Sequence, residues 1–187
     1  MRKDDARTTY YRPYLQTVNV IPPSKTISSD TALKFGSTEV QLLHTPGHTE
    51  DLVTVYLPKE KILFASDSIY PTKTMPVLFM GDPDDWIRSL RKLLNLDIKV
   101  LLPGHGLIPE NPRDEIKRHI EKLTYVKNGV IEALKKSERS MTFSQIEKNV
   151  DFLKGRDLLV VVRSLVKRGI VEADSEDPEN ASLKLRE

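Results

Sequence analysis

As far as residue 102 the chain is written mainly in short apolar runs of strand length. Residues 8–11 and 15–21 read as candidate strands, the second stopped by Pro22 and Pro23. Residues 30–36 are expected to turn, and residues 39–45 to form a strand. Residues 52–57 and 62–65 give two more strands across Pro58-Lys-Glu-Lys61, a connection of hairpin length. Residues 68–81 hold Pro71, Pro76 and Gly81 without periodicity and are expected to form a long loop of the kind that borders a site. Asp82 then caps a helix. Pro83 suits its first turn, Asp84 and Asp85 favour the positive end of its dipole, and Trp86, Leu90, Leu93 and Leu94 make its apolar face. Residues 98–102 are the next strand. Strand, helix, strand in this order implies an α/β sheet.

From Asn111 the period lengthens. Asn111 and Pro112 start a long helix with Ile116, Ile120, Leu123, Val130 and Leu134 at three-, four- and seven-residue spacing. Thr142-Phe-Ser-Gln145 is a capping box opening a short helix. A third helix, after Gly155 and Arg156, is built on Leu159, Val162, Leu165 and Val166 and stops at Gly169. Residues 170–173 and 182–185 then make a hairpin. Helices followed by a small β-wing form a winged-helix pattern, a fold that serves nucleic-acid binding and protein contact alike. The domain expectation is therefore residues 1–110 and residues 111–187.

Composition narrows the class. With 187 residues, 39% hydrophobic and 30% charged, the chain has room for one sizeable core and a small second unit. No apolar run approaches the ~18 residues of a membrane span, and residues 1–6 are too polar for a signal peptide. There is no cysteine, so disulfides are excluded, any metal needs histidine and carboxylate donors, and a cytoplasmic protein is expected. The net charge of +2 is uneven, because residues 113–174 hold 14 basic and 10 acidic side chains. Lys117, Arg118, Lys122 and Lys127, with Arg163, Lys167 and Arg168, could contact phosphates; a solvated helical face is the simpler expectation.

Three metal-competent side chains follow the ends of three strands. They are His48 after Thr45-Pro-Gly, Asp67 after Phe64-Ala-Ser, and His105 after Leu102-Pro-Gly. Imidazole and carboxylate suit zinc, manganese or iron(II). Gly47 and Gly104 are expected to give the chain a sharp exit from each strand. An aspartate between the two histidines could bridge two cations, which together activate water and neutralise developing charge. His44 is expected to pack or hydrogen-bond within the sheet, His119 to be solvated on the charged face of the long helix, and Trp86 to lie in the core.

Thr45-Pro-Gly-His-Thr49, Phe64-Ala-Ser-Asp67 and Leu102-Pro-Gly-His-Gly106 together resemble the metallo-β-lactamase-fold hydrolases, over about residues 8–110. The resemblance implies that His48 ligates a first zinc, Asp67 bridges two and also serves catalysis, and His105 ligates the second, with manganese or iron as alternatives. The implied fold is α/β (α+β): the C-terminal half of an αββα sandwich with a small winged-helix-like domain. The tail resembles the lactamase-β-like endoribonucleases, which implies single-stranded RNA as substrate. A glyoxalase II-like thioester hydrolase is the alternative, and a nucleic-acid or protein binding module the non-enzymatic one. Position 66 is Ser where the family usually has Gly. The family's His-x-His-x-Asp-His cluster is not in this chain, whose four histidines are His44, His48, His105 and His119. The expectation is thus a truncated hydrolase that binds metal weakly alone, through a start assigned too late, a missing half supplied by a partner chain, or a surviving fragment that works as a binding module; an exposed sheet face would favour self-association or poor solubility.

Overall fold

The structure, a computed structural model, describes residues 22–71, 81–137, 139–151 and 153–186. The candidate strands at 8–11 and 15–21, and most of the loop expected over 68–81, lie outside those residues.

Five strands form one sheet in sequential order: β1 (Thr31–Phe35), β2 (Thr38–His44), β3 (Val53–Leu57), β4 (Ile62–Ser66) and β5 (Val100–Pro103). The first is a correction to the turn expected over residues 30–36. Leu33 and Phe35 alternate with Ala32 and Lys34, and only Gly36 and Ser37 turn, pairing Phe35 with Thr38. Gly36 takes a φ of +60°, which lets so short a hairpin close. β2, β3 and β4 are antiparallel neighbours, whereas β4 and β5 run parallel through helix α1 (Pro83–Leu93). That is the expected strand, helix, strand unit.

Period two divides the sheet. Leu43, Tyr56, Leu63, Ala65 and Leu101 form one core with Trp86, Leu90 and Leu93 of α1. Val40, Leu42, Val55, Phe64 and Leu102 alternate with them and so face the other way; none belongs to that core. Helix α1 is capped as expected. The Asp82 carboxylate accepts from the N–H groups of Asp84 and Asp85, with Pro83 in the first turn.

Helix α2 (Pro112–Ser137) buries Ile116, His119, Leu123, Val126, Val130 and Leu134 in one stripe. Beyond it come β6 (Met141–Thr142), α3 (Phe143–Asn149), α4 (Gly155–Lys167), β7 (Val171–Ala173) and β8 (Ser182–Leu185), the strands ordered β6-β8-β7. The capping box forms, with Thr142 Oγ1 accepting from Gln145 N and the Gln145 side chain accepting from Thr142 N. Val130, Leu134, Ile146, Leu158, Leu165 and Leu183 continue the same hydrophobic cluster, so the C-terminal elements and the sheet share a core.

Candidate metal centre

All three expected donors emerge at one rim of the sheet. β2 runs into Thr45-Pro46-Gly47-His48, which α1 clamps: Ser89 Oγ donates to the Pro46 carbonyl at 2.7 Å, and Asp82 N to the Gly47 carbonyl at 3.0 Å. A Cβ on Gly47 would come within 2.4 Å of Trp86 Cβ, so glycine is required by close approach. The His48 ring lies edge-on to Trp86 with centroids 5.6 Å apart, and its Nδ1 is 3.3 Å from the Tyr70 hydroxyl.

Asp67 follows an irregularity between Phe64 and Ser66, where Ser66 takes a left-handed φ of 48°. This bend re-aims the chain as it leaves β4. The Ser66 carbonyl then accepts from Gly104 N at 2.8 Å, binding the Asp67 and His105 turns together. The sharp turn expected of Gly104 is made without a left-handed φ. Its place is dictated by room instead, since a Cβ there would meet Asp67 Oδ1 at 2.8 Å and the Ser66 carbonyl at 2.9 Å.

Asp67 Oδ1 and His105 Nε2 stand 3.3 Å apart, at 33% and 71% side-chain exposure. Two ligand atoms at ~2.0–2.1 Å from a tetrahedral zinc are separated by roughly 3.3 Å, so this pair fits one edge of such a site. His48 reaches the pair through Tyr70, whose ring stacks on His105 at 5.9 Å and 5°. Among the described residues no three His, Asp or Glu side chains converge as a metal cage. The donors fit the ion chemically, but the described residues do not make a complete centre.

Tyr70, Trp86 and His119 join this cluster, though the sequence pattern places none of them there. Burial, with the negative charge of Asp67 behind it, pushes the Tyr70 phenol up to about 12, so it remains a protonated hydroxyl. Trp86 Nε1 donates to the Ser68 carbonyl at 2.8 Å and Tyr70 N to His119 Nε2 at 2.9 Å, fixing the Asp67 loop to α1 and α2. His119 is the second correction. It is fully buried rather than solvated, and burial lowers its pKa to about 4, with Lys122 adding to the effect. Its spacing from Ile116 and Leu123 places it on the apolar stripe, a signal available in the sequence. Tyr70 carries no such signal. His44, at the end of β2, has its Nε2 2.9 Å from the carbonyl of Glu50, in the turn that follows the strand and not within the sheet as expected.

The cations of the C-terminal half are largely engaged. Arg118 pairs with Glu115 at 2.6 Å, Lys127 with Asp84 at 2.6 Å and Arg163 with Asp177 at 3.5 Å. Arg168 reaches Asp82 at 2.7 Å, Asp84 at 3.1 Å and Asp85 at 2.8 Å. No helix among the described residues is long and apolar enough to cross a membrane.

A family model described as the metallo-beta-lactamase superfamily matches residues 3–105. The chain is 26% identical over 133 residues to an atrochrysone carboxyl ACP thioesterase of Aspergillus fumigatus, covering 68% of this chain and 41% of that protein. It is 38% identical over 88 residues to a hydroxyacylglutathione hydrolase of Bartonella tribocorum, covering 46% and 34%. A crystal structure of a metallo-beta-lactamase family protein from Thermus thermophilus superposes with a TM-score of 0.68 at 19% identity, over 96% of this chain and 64% of that one. That last likeness is one of fold. The chain thus spans less than half the length of the curated relatives it matches.

Proposed function

The chain belongs to the metallo-beta-lactamase superfamily, and on that premise we propose that it is part of a metal-dependent hydrolase acting on a thioester, with His48, Asp67 and His105 as its share of the metal ligands. The observation that carries this reading is the Asp67 and His105 pair at 3.3 Å on the rim of the family sheet. Zinc is the ion the donor chemistry favours, with manganese and iron as alternatives. When bound, the ion supplies Lewis acidity for attack on an acyl carbon. The chain's own part is to hold the two donors an edge apart, to keep Asp67 half-buried, and to offer the Tyr70 phenol as a hydrogen-bond donor. The remaining ligands are not among the described residues.

Two observations favour a thioester over RNA. The relatives named above are a thioesterase and a hydroxyacylglutathione hydrolase. The endoribonuclease reading needs free cations near the site, and Arg118, Lys127, Arg163 and Arg168 are held by carboxylates. We assign residues 111–187, whether or not they serve as a winged-helix-like unit, a packing role against the sheet domain of residues 1–110, since their apolar residues join the same hydrophobic cluster. Hydroxyacylglutathione and a single-stranded RNA, offered in parallel to the full chain with zinc or manganese, test the assignment. Thioester hydrolysis lost in the Asp67→Ala variant supports it. RNA cleavage without thioester hydrolysis contradicts it, as does hydrolysis that survives Asp67→Ala together with His48→Ala.

A further inference from the structure

The bond from Tyr70 N to His119 Nε2 joins the Asp67 loop to the middle of a buried helix. A neutral imidazole that accepts at Nε2 carries its proton on Nδ1. In His119 that nitrogen faces Glu115 Oε1 at 3.5 Å, and the buried Glu115 is held at its other oxygen by Arg118 at 2.6 Å. On the opposite side, the Tyr70 hydroxyl lies 3.3 Å from His48 Nδ1. Hydrogen-bond contacts therefore lead from His119 through Tyr70 to His48, with Glu115 and Arg118 packed behind His119; the Glu115 Oε1 and His119 Nδ1 atoms approach without forming a hydrogen bond.

A histidine ligand is set by the partner of its second nitrogen. The hydrogen bond made at one ring nitrogen decides which tautomer is present and how the ring points. We propose that Tyr70 and His119 are positioning residues of the metal centre. His119 fixes the backbone of Tyr70, and the Tyr70 oxygen accepts from Nδ1–H of His48, which puts the His48 lone pair on Nε2 toward the rim. This rests on the reading of His48 as a metal ligand. It accounts for a fully buried histidine that accepts from the Tyr70 backbone, and for a tyrosine that touches both histidines of the rim.

Long-range proton–nitrogen NMR of the metal-free full chain, labelled at histidine nitrogen, reads both tautomers directly. The expected spectrum shows His48 and His119 protonated at Nδ1. Tyr70→Phe lowers the share of His48 protonated at Nδ1 and weakens zinc binding about tenfold, the usual scale for loss of such an outer partner. His119→Leu speeds amide exchange at Tyr70 by about tenfold, as expected for one lost hydrogen bond, and has the same effect on His48. His119→Gln, whose carbonyl can accept the same bond, preserves both readouts. His48 protonated at Nε2 in the unmodified chain, or a tautomer unmoved by Tyr70→Phe, overturns the proposal even if His48→Ala abolishes zinc binding. Tautomers as expected, with zinc affinity indifferent to His48→Ala, overturn it through the ligand assignment instead.

Discussion

Ser66 occupies a left-handed backbone conformation at the point where Asp67 is aimed. A side chain there costs roughly 1–2 kcal/mol, part of which glycine would give back through the greater entropy of its unfolded chain. Ser66→Gly should therefore raise stability by about 0.5–1 kcal/mol, read as a higher thermal midpoint; a lower midpoint would mean that the serine makes a compensating contact. Gly104→Ala should do the opposite, because its Cβ would crowd Asp67 Oδ1 and the Ser66 carbonyl. The expected cost is about 1–3 kcal/mol, with weakened zinc binding as the second readout. His119 makes stability depend on pH. Its pKa is about 4 in the fold, lowered by burial first and Lys122 next, against 6.5 ordinarily. Between those values the unfolded chain binds more protons, so its contribution is complete above about pH 6.5 and is lost as the pH falls toward 4. Glu115, Arg118 and Lys122 on the same helix and Tyr70 from the loop surround it. The full loss is about 3 kcal/mol, and urea denaturation of the parent and His119→Leu chains across that range should show this slope only in the parent.

Helix α1 is the element through which packing reaches the site. Its apolar face fills the sheet core, its Trp86 sits against Gly47 and holds Ser68, and its acidic N-terminus receives Arg168 from the end of α4. Asp82 would be raised by burial, but Arg168, the Asp85 N–H and Ser164 outweigh that and hold it below the ordinary carboxylate range. Arg168→Ala should cost about 1–3 kcal/mol, since it leaves half-buried carboxylates with fewer partners; an unchanged urea midpoint would show that α4 docks through apolar contacts alone. The start of α1 is legible in the sequence because capping, proline and dipole signals coincide at residues 82–85. β1 is not, because five residues beside a glycine read as a turn until the pairing strand is known. His119 reads as solvated because Arg118 stands beside it, although the three- and four-residue spacing on either side puts it on the apolar stripe.

At the scale of the molecule, the strand-end rule places the candidate site. His48, Asp67 and His105 each follow a strand, and because β2 and β4 both run antiparallel to β3 while β5 runs parallel to β4, those three ends meet at one rim. What the sequence does not convey is the network between them, because Tyr70 and His119 join the cluster through contacts spanning 22 and 49 residues of chain. The second face of the sheet, with Val40, Leu42, Val55, Phe64 and Leu102, stays outside the core cluster. The central claim is that His48, Asp67 and His105 are the metal donors this chain contributes. It is tested most directly by titrating zinc into the full chain against a chromogenic chelator, in the parent and in the His48→Ala, Asp67→Ala, His105→Ala and His44→Ala variants. Measurable binding by the parent, weakened about tenfold or more in each of the first three and unchanged in His44→Ala, is the predicted result. Equal affinity in the parent and in Asp67→Ala and His105→Ala would contradict it.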